Sequence, residues 1–216
     1  MILLPFSASA MYQEVSSSGG IDWTTIIMGI LGLLGSGGGL KAITVCIEKY
    51  NSTKSKKAME DIAKIYDCMQ DIIDNTPINR VLVLATHNDG SEIKPGTKLF
   101  TSVLYEKLNG NFKSVKGEYQ NIPLDAEYLN MLVELLNKER VVMHVPTAKD
   151  GLLKSIYEKE GVKYSKVIYL ADSKRKKIWY LSCATDCDIQ ELNTYDSNLI
   201  KKNSLIIGGL LKKHNL

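Results

Sequence analysis

The chain has 216 residues, 27 Lys and Arg against 24 Asp and Glu, and a net charge of +3. Its lysines are dispersed without aromatic interleaving, which is not the profile of a nucleic-acid binder. The four cysteines, Cys46, Cys68, Cys183 and Cys187, include no Cys-x-x-Cys pair, so the spacing argues against zinc and fits a reduced, cytoplasmic setting.

Residues 1–22 read as an extracytoplasmic leader without Lys or Arg. Residues 23–47 (WTTIIMGILGLLGSGGGLKAITVCI) carry no charge from Trp23 to Leu40, and that length of apolar chain predicts a single transmembrane helix. Gly29, Gly32 and Gly35 recur at near-helical spacing. Small residues on one face let two membrane helices approach closely and form a homo-oligomer; alternatively the run from Gly35 to Gly39 is a hinge. A phosphate loop is excluded, because Leu40 separates Gly39 from Lys41 and Ala42 follows. Lys41, Lys49, Lys54, Lys56 and Lys57 all follow the apolar run. The positive-inside rule therefore predicts a single-pass protein of the cytoplasmic membrane with its C-terminal part in the cytoplasm.

Residues 48–76 form a basic juxtamembrane segment and an amphipathic linker helix. Ala58, Ile62, Ile65, Met69 and Ile72 make a short heptad stripe. It serves either a coiled-coil contact or a helix laid against its own domain. The remainder, 77–216, is long enough for one domain with a proper core. Arg80 to Thr86 predicts a central strand closed by the turn His87-Asn88-Asp89-Gly90. Leu99–Leu108 predicts a second strand, and Phe112–Tyr119 a short edge strand. Residues 124–138 have a helical period, Arg140–Val145 is a strand stopped by Pro146, and Asp150–Glu160 is a helix closed by Gly161. Lys166–Asp172 and Lys177–Thr185 predict a hairpin. Asn193–Lys213 is a final helix with Leu199, Leu205, Ile206 and Leu210 as its apolar face.

This order predicts an α+β fold, a central antiparallel sheet of about five to six strands with flanking helices, preceded by one transmembrane helix. Over about residues 56–214 it resembles GAF domains, the small-molecule-sensing relatives of PAS domains. The resemblance implies terminal helices on one sheet face and a ligand pocket on the other, beside the helices of residues 124–160. His87, Asn88, Tyr105, Tyr128 and His144 are then the ligand-binding candidates. The strand ending in His87-Asn88-Asp89-Gly90, followed by Tyr105-Glu106, also looks like a group of phage membrane proteins with His-Asn-Gly-Gly and a nearby aromatic-Glu pair. Asp89 stands where those carry the first Gly.

His87 at a strand end is suited either to ligand contact or to a hydrogen bond that holds the turn. No third ligand accompanies the histidines at metal-site spacing, and no nucleophile sits in an elbow motif. The expectation is a non-enzymatic, membrane-anchored sensor or regulatory module with a small-molecule ligand and an unknown cofactor. The alternatives are a phage lysis protein of holin or antiholin type and a ligand-free membrane scaffold.

Overall fold

The computed structural model describes residues 39–109, 112–173 and 176–214, with side chains from residue 49 onward. Most of the predicted span, including Gly29, Gly32 and Gly35, lies outside them. Among the described residues no helix is long and apolar enough to cross a membrane. The chain divides into two compact units, 1–55 and 56–216. Helix α1 runs Gly39–Asn75, and its portion from Lys56 belongs to the second unit.

That unit is built on a six-stranded sheet: β1 (Arg80–His87), β2 (Phe100–Leu108), β3 (Ile122–Pro123), β4 (Arg140–His144), β5 (Tyr164–Ser173) and β6 (Lys177–Thr185). The spatial order is β3-β2-β1-β6-β5-β4, and every neighbouring pair is antiparallel. Three helices complete it: α2 (Ala126–Lys138), α3 (Leu152–Lys159) and α4 (Thr194–His214). A single 3-10 turn, Val145–Thr147, follows β4.

β1 and β6 lie at the centre of the sheet and are buried on both faces, which is why each reads as a near-continuous apolar run. Side chains alternate between faces along a strand. Val81, Val83 and Ala85 of β1, with Trp179, Leu181 and Cys183 of β6, meet Ile65, Met69 and Ile72 of α1 and Ile200, Ile207 and Leu211 of α4. Leu82, Leu84, Tyr180 and Ala184 meet Tyr128, Met131, Leu132 and Leu135 of α2 and Leu153 and Tyr157 of α3. Two cores of different make-up are thus fixed by one period. The α1 stripe lies against its own domain from Ile65 onward.

Two expectations need correction. Phe112–Tyr119 is not a strand; the edge is the two-residue β3. Glu106 takes the segment out of the ladder: its carboxylate accepts from the Val115 N–H (2.9 Å), the Lys116 N–H (3.2 Å) and the Ser114 hydroxyl. The Glu of the aromatic-Glu pair thus braces a loop. The second correction concerns α4. Its buried face is Asp196, Ile200, Asn203, Ser204, Ile207, Gly208 and Leu211, while Leu205 is 68% exposed. Hydropathy misplaces this face because polar and small residues share it. Asn203 donates to Asp71 of α1 (2.8 Å), and Gly208 lets the helix reach β5.

A Cβ on Gly208 would lie 2.5 Å from the Leu170 carbonyl oxygen, at the residue where β5 bulges between Tyr169 and Ala171. The obstacle is backbone, which cannot rotate away as a side-chain tip can. Gly208→Ala should therefore lower stability by about 1–3 kcal/mol, the usual range for overpacking. A chemical-denaturation midpoint measures it. Gly209, with nothing within 4 Å of its Cβ position, is the control and should tolerate Ala.

Candidate functional site

The starts of α2 and α3 are tied to each other through one carboxylate. Asp125 is the N-cap of α2, and its Oδ1 accepts from the Tyr128 N–H at 2.8 Å. Its Oδ2 accepts from the Leu152 N–H at 2.7 Å, capping α3, whose own N-cap is Gly151 and offers no side chain. A Cβ at Gly151 would approach Glu127 Cβ to 2.9 Å, so the absence of a side chain there is what lets the two helix starts meet on Asp125.

Beneath these helices a cavity of about 40 Å³ opens against β1, β2, β5 and β6, room for about three water molecules. Four tyrosines line it: Tyr119, Tyr128, Tyr157 and Tyr180. The Tyr180 hydroxyl shares hydrogen bonds with Thr101 (2.6 Å) and Tyr128 (2.8 Å). The Tyr157 hydroxyl bridges Ser165 (2.9 Å) and Ser182 (3.0 Å). Burial pushes the Tyr128 phenol well above its ordinary range, with the neighbouring Tyr180 adding to it. Tyr157 and Tyr180 are likewise raised by burial, so all three stay neutral and serve as hydroxyl donors and acceptors.

One end of the cavity is charged. Arg80 opens β1 on the parity of Leu82 and Leu84 and is only 4% exposed. Its Nη2 lies 3.4 Å from Glu160 Oε2 and 3.4 Å from the Lys113 carbonyl oxygen, and the guanidinium sits 5.6 Å from the Phe112 ring centroid. Both polar contacts are longer than a close charge-assisted bond. Among the described residues the Arg80 Nε has no hydrogen-bond partner. Tyr119 donates its hydroxyl to Glu160 Oε1 at 2.9 Å, which fixes the carboxylate at the end of α3.

The five residues nominated from sequence do not converge. Tyr128 lines the cavity. Tyr105 lies on the opposite face, its ring edge-on to Tyr66 of α1 at 5.7 Å. The cause is a bulge: Val83 pairs with Tyr105 but Leu84 with Val103. The extra residue, Leu104, moves Tyr105 to the face that strict alternation from Val103 denies it. His87 shares a hydrogen bond with Ser102 (3.1 Å). Ser102 in turn donates to Asn121 Oδ1 (3.3 Å) and accepts from the Asn121 N–H (2.9 Å), bracing a residue at φ 54° beside β3. Asn88 closes the turn to Ser91 (2.7 Å), with Asp89 and Gly90 at φ 40° and 83°. His144 lines a separate groove between α2 and β4 and meets Tyr164 edge-on at 5.4 Å. Arg80, Glu160, Tyr157 and Tyr180 went unnominated. Arg80 carried a usable signal, a charge on the pocket-facing parity of an otherwise apolar strand.

Among the described residues no cluster of His, Cys, Asp and Glu is arranged to hold a metal. Cys183 is fully buried and its thiol is pushed up to about 12, burial outweighing the pull of Lys166, so it is no nucleophile at neutral pH.

No protein-family model and no curated protein matches this sequence. Solved structures do. The photoproduct state of GAF3 from Slr1393 of Synechocystis sp. PCC6803 superposes with a TM-score of 0.52 at 13% identity, over 69% of this chain and 92% of that one. The green-light-absorbing state of NpR6012g4, a red/green cyanobacteriochrome, gives 0.51 at 10% identity, over 73% and 96%. A GAF domain/HD domain protein from Geobacter sulfurreducens gives 0.50 at 11% identity, over 71% and 93%. The fold is GAF-like. The expected placement of terminal helices on one face and a pocket on the other holds for this GAF-like domain.

Losing the Asp125 carboxylate should cost more than one ordinary cap. At about 1 kcal/mol per cap, Asp125→Ala should lose about 2 kcal/mol. Asp125→Asn, which keeps one acceptor oxygen, should lose about half of that. Equal losses for the two variants in urea denaturation would mean that a single amide oxygen restores neither bond.

Proposed function

We propose that the chain is a non-enzymatic sensory or regulatory module whose GAF-like domain reads a small neutral polar molecule in the cavity under α2 and α3. The carrying observation is the buried Arg80 at the cavity end, whose Nε meets no acceptor among the described residues. An acceptor atom on a ligand would complete it, and burial makes an unmet donor costly. Arg80 and Glu160 balance in charge, so the site favours a carbonyl or hydroxyl over an anion. The cavity volume sets the size: a few heavy atoms in the observed arrangement. Tyr128, Tyr180 and Tyr157 supply the remaining polar contacts. The three candidates His87, Asn88 and Tyr105 serve the turn and the opposite core in this reading, and His144 a different groove.

The proposed module is tethered. The apolar run of residues 23–47 and the lysines behind it support a single membrane span with the domain on the cytoplasmic side. A signal would pass through α1, whose Ile65, Met69 and Ile72 sit in the core behind β1 and β6. A topology reporter fused after Leu216 should be active only if it is a cytoplasmic reporter; a periplasmic reporter signal would sink the tether's sidedness.

Acetamide and pyrazole serve as probes of the cavity. Fragments this small bind in about the millimolar range, so full-length protein should show a saturable thermal shift of about 1–3 °C. Arg80→Lys keeps the charge but removes Nε, and should abolish the shift. His87→Ala should leave it intact while costing about 0.5–1.5 kcal/mol of stability. Shifts that persist in Arg80→Lys, or no shift with either probe, would overturn the cavity as the sensing site.

A further inference from the structure

The opposite face of the sheet carries a second polar feature that the GAF-like cavity does not use. Where β4 and β5 pass the start of α4 there is a groove of about 470 Å³. Lys166 of β5 and Arg140 of β4 both line it. They share a sheet face, since Arg140 pairs with Ile168 and Val142 with Lys166. Lys201 and Lys138 also line it, the latter already donating to Glu134 at 2.9 Å, and Glu139 is the one acidic residue of the lining.

Lys166 is the unusual member. It is only 7% exposed, yet among the described residues its ammonium has one hydrogen bond, to the Ser197 hydroxyl at 3.1 Å. Among the described residues no carboxylate stands within ion-pair distance of it or of Arg140. Burial lowers the affinity of the Lys166 amine for its proton and the Arg140 charge lowers it further, against smaller opposing effects of Cys183 and Glu191. A buried, unpaired lysine beside a second cation is costly to the folded state, and no hydrophobic packing requires it: a Met of similar length would fill the space without charge. Such an arrangement is relieved when an anion enters between the two cations.

We infer that the groove between β4–β5 and the start of α4 is a binding site for a phosphomonoester, with Lys166 and Arg140 on the phosphate. The charge excess of the lining suits a dianion better than a monocarboxylate. Arg140 offers the planar fork and Lys166 the point charge that phosphate sites combine. Ser197 and Asn198 at the first turn of α4 add polar groups. Ile168 and Leu205 give apolar surface for the body of the molecule. The chemistry admits a soluble phosphomonoester or a lipid phosphate headgroup, which the experiment below separates.

The test uses the full-length protein and thermal shift at matched ionic strength, with inorganic phosphate, phenyl phosphate, dihexanoyl phosphatidic acid and sodium chloride. Phenyl phosphate should stabilise by a few degrees, at about tenfold lower concentration than inorganic phosphate because its ring meets the apolar surface. A stronger response to the short-chain phosphatidic acid would assign the site to a lipid headgroup and overturn the soluble ligand. Lys166→Met should raise the midpoint of the free protein and remove the phosphate response. Arg140→Gln combined with Lys201→Gln, both at exposed positions, should weaken the response at least tenfold with the fold intact. A response equal to that of chloride, or one that survives in both variants, would overturn the site. Acetamide and pyrazole shifts should be unchanged in these variants, which separates failure here from failure of the cavity.

Discussion

The constraint on which this domain rests is that its central strands are buried on both faces. A strand offers alternate side chains to opposite sides, so β1 and β6 must satisfy two environments with one sequence. On the α1–α4 side the solution is mostly apolar, with Trp179, Leu181 and Cys183 fully enclosed. On the α2–α3 side the same strands contribute Arg80, Tyr180 and Ser182. Neither face can be altered by sliding a strand, because a slip of one residue would exchange the two sets. The register is therefore held by two cores at once.

Beneath α2 and α3 the hydroxyls are tolerated because they are paired. Tyr180 bonds both Thr101 and Tyr128, and Tyr157 bonds both Ser165 and Ser182, so each hydroxyl joins a helix or a neighbouring strand to the sheet. Four-way packing by apolar residues would be simpler and would leave no cavity. A tyrosine network instead fixes the roof helices at a set height above the strands, because hydrogen bonds are directional where dispersion contacts are not. Asp125 then sets the roof's position along the sheet by holding both helix starts. The cavity is the gap that remains once these bonds are met.

Much of this was legible from sequence. Strand and helix order followed from period and from turn residues, since burial on both faces makes β1 and β6 apolar runs whatever their partners. Three features were not legible, each for a local physical reason. Tyr105 reads as pocket-facing until Leu104 is seen to be an extra residue in the ladder; a bulge leaves no hydropathy signature. The face of α4 includes Asn203, Ser204 and Gly208, chosen for a hydrogen bond and for close approach rather than for apolarity. The paired charges Arg80 and Glu160 lie 80 residues apart, so only the fold joins them. Strand ends drew attention to His87 and Asn88, whereas the chemistry lies at the start of β1.

The sheet divides two electrostatic problems that have different solutions. At the cavity, one cation faces one anion and the surrounding phenols are held neutral by burial. Such a site gains little from a ligand's net charge and much from an acceptor placed on an unmet N–H, because the low dielectric strengthens short contacts and penalises added charge. At the groove, Lys166 and Arg140 face each other's charge with no described carboxylate at ion-pair distance, Glu191 acting only from further away. There the repulsion already exists in the free protein, and an anion removes a cost as well as adding an attraction. Arg80 and Lys166 are both almost wholly buried cations on neighbouring parts of one sheet. What distinguishes them is the partner: Glu160 turns the first into a neutral pair, and nothing among the described residues does so for the second. The two faces should accordingly differ in ligand charge, and for a reason that lies in the pairing of these two side chains rather than in the shape of either site.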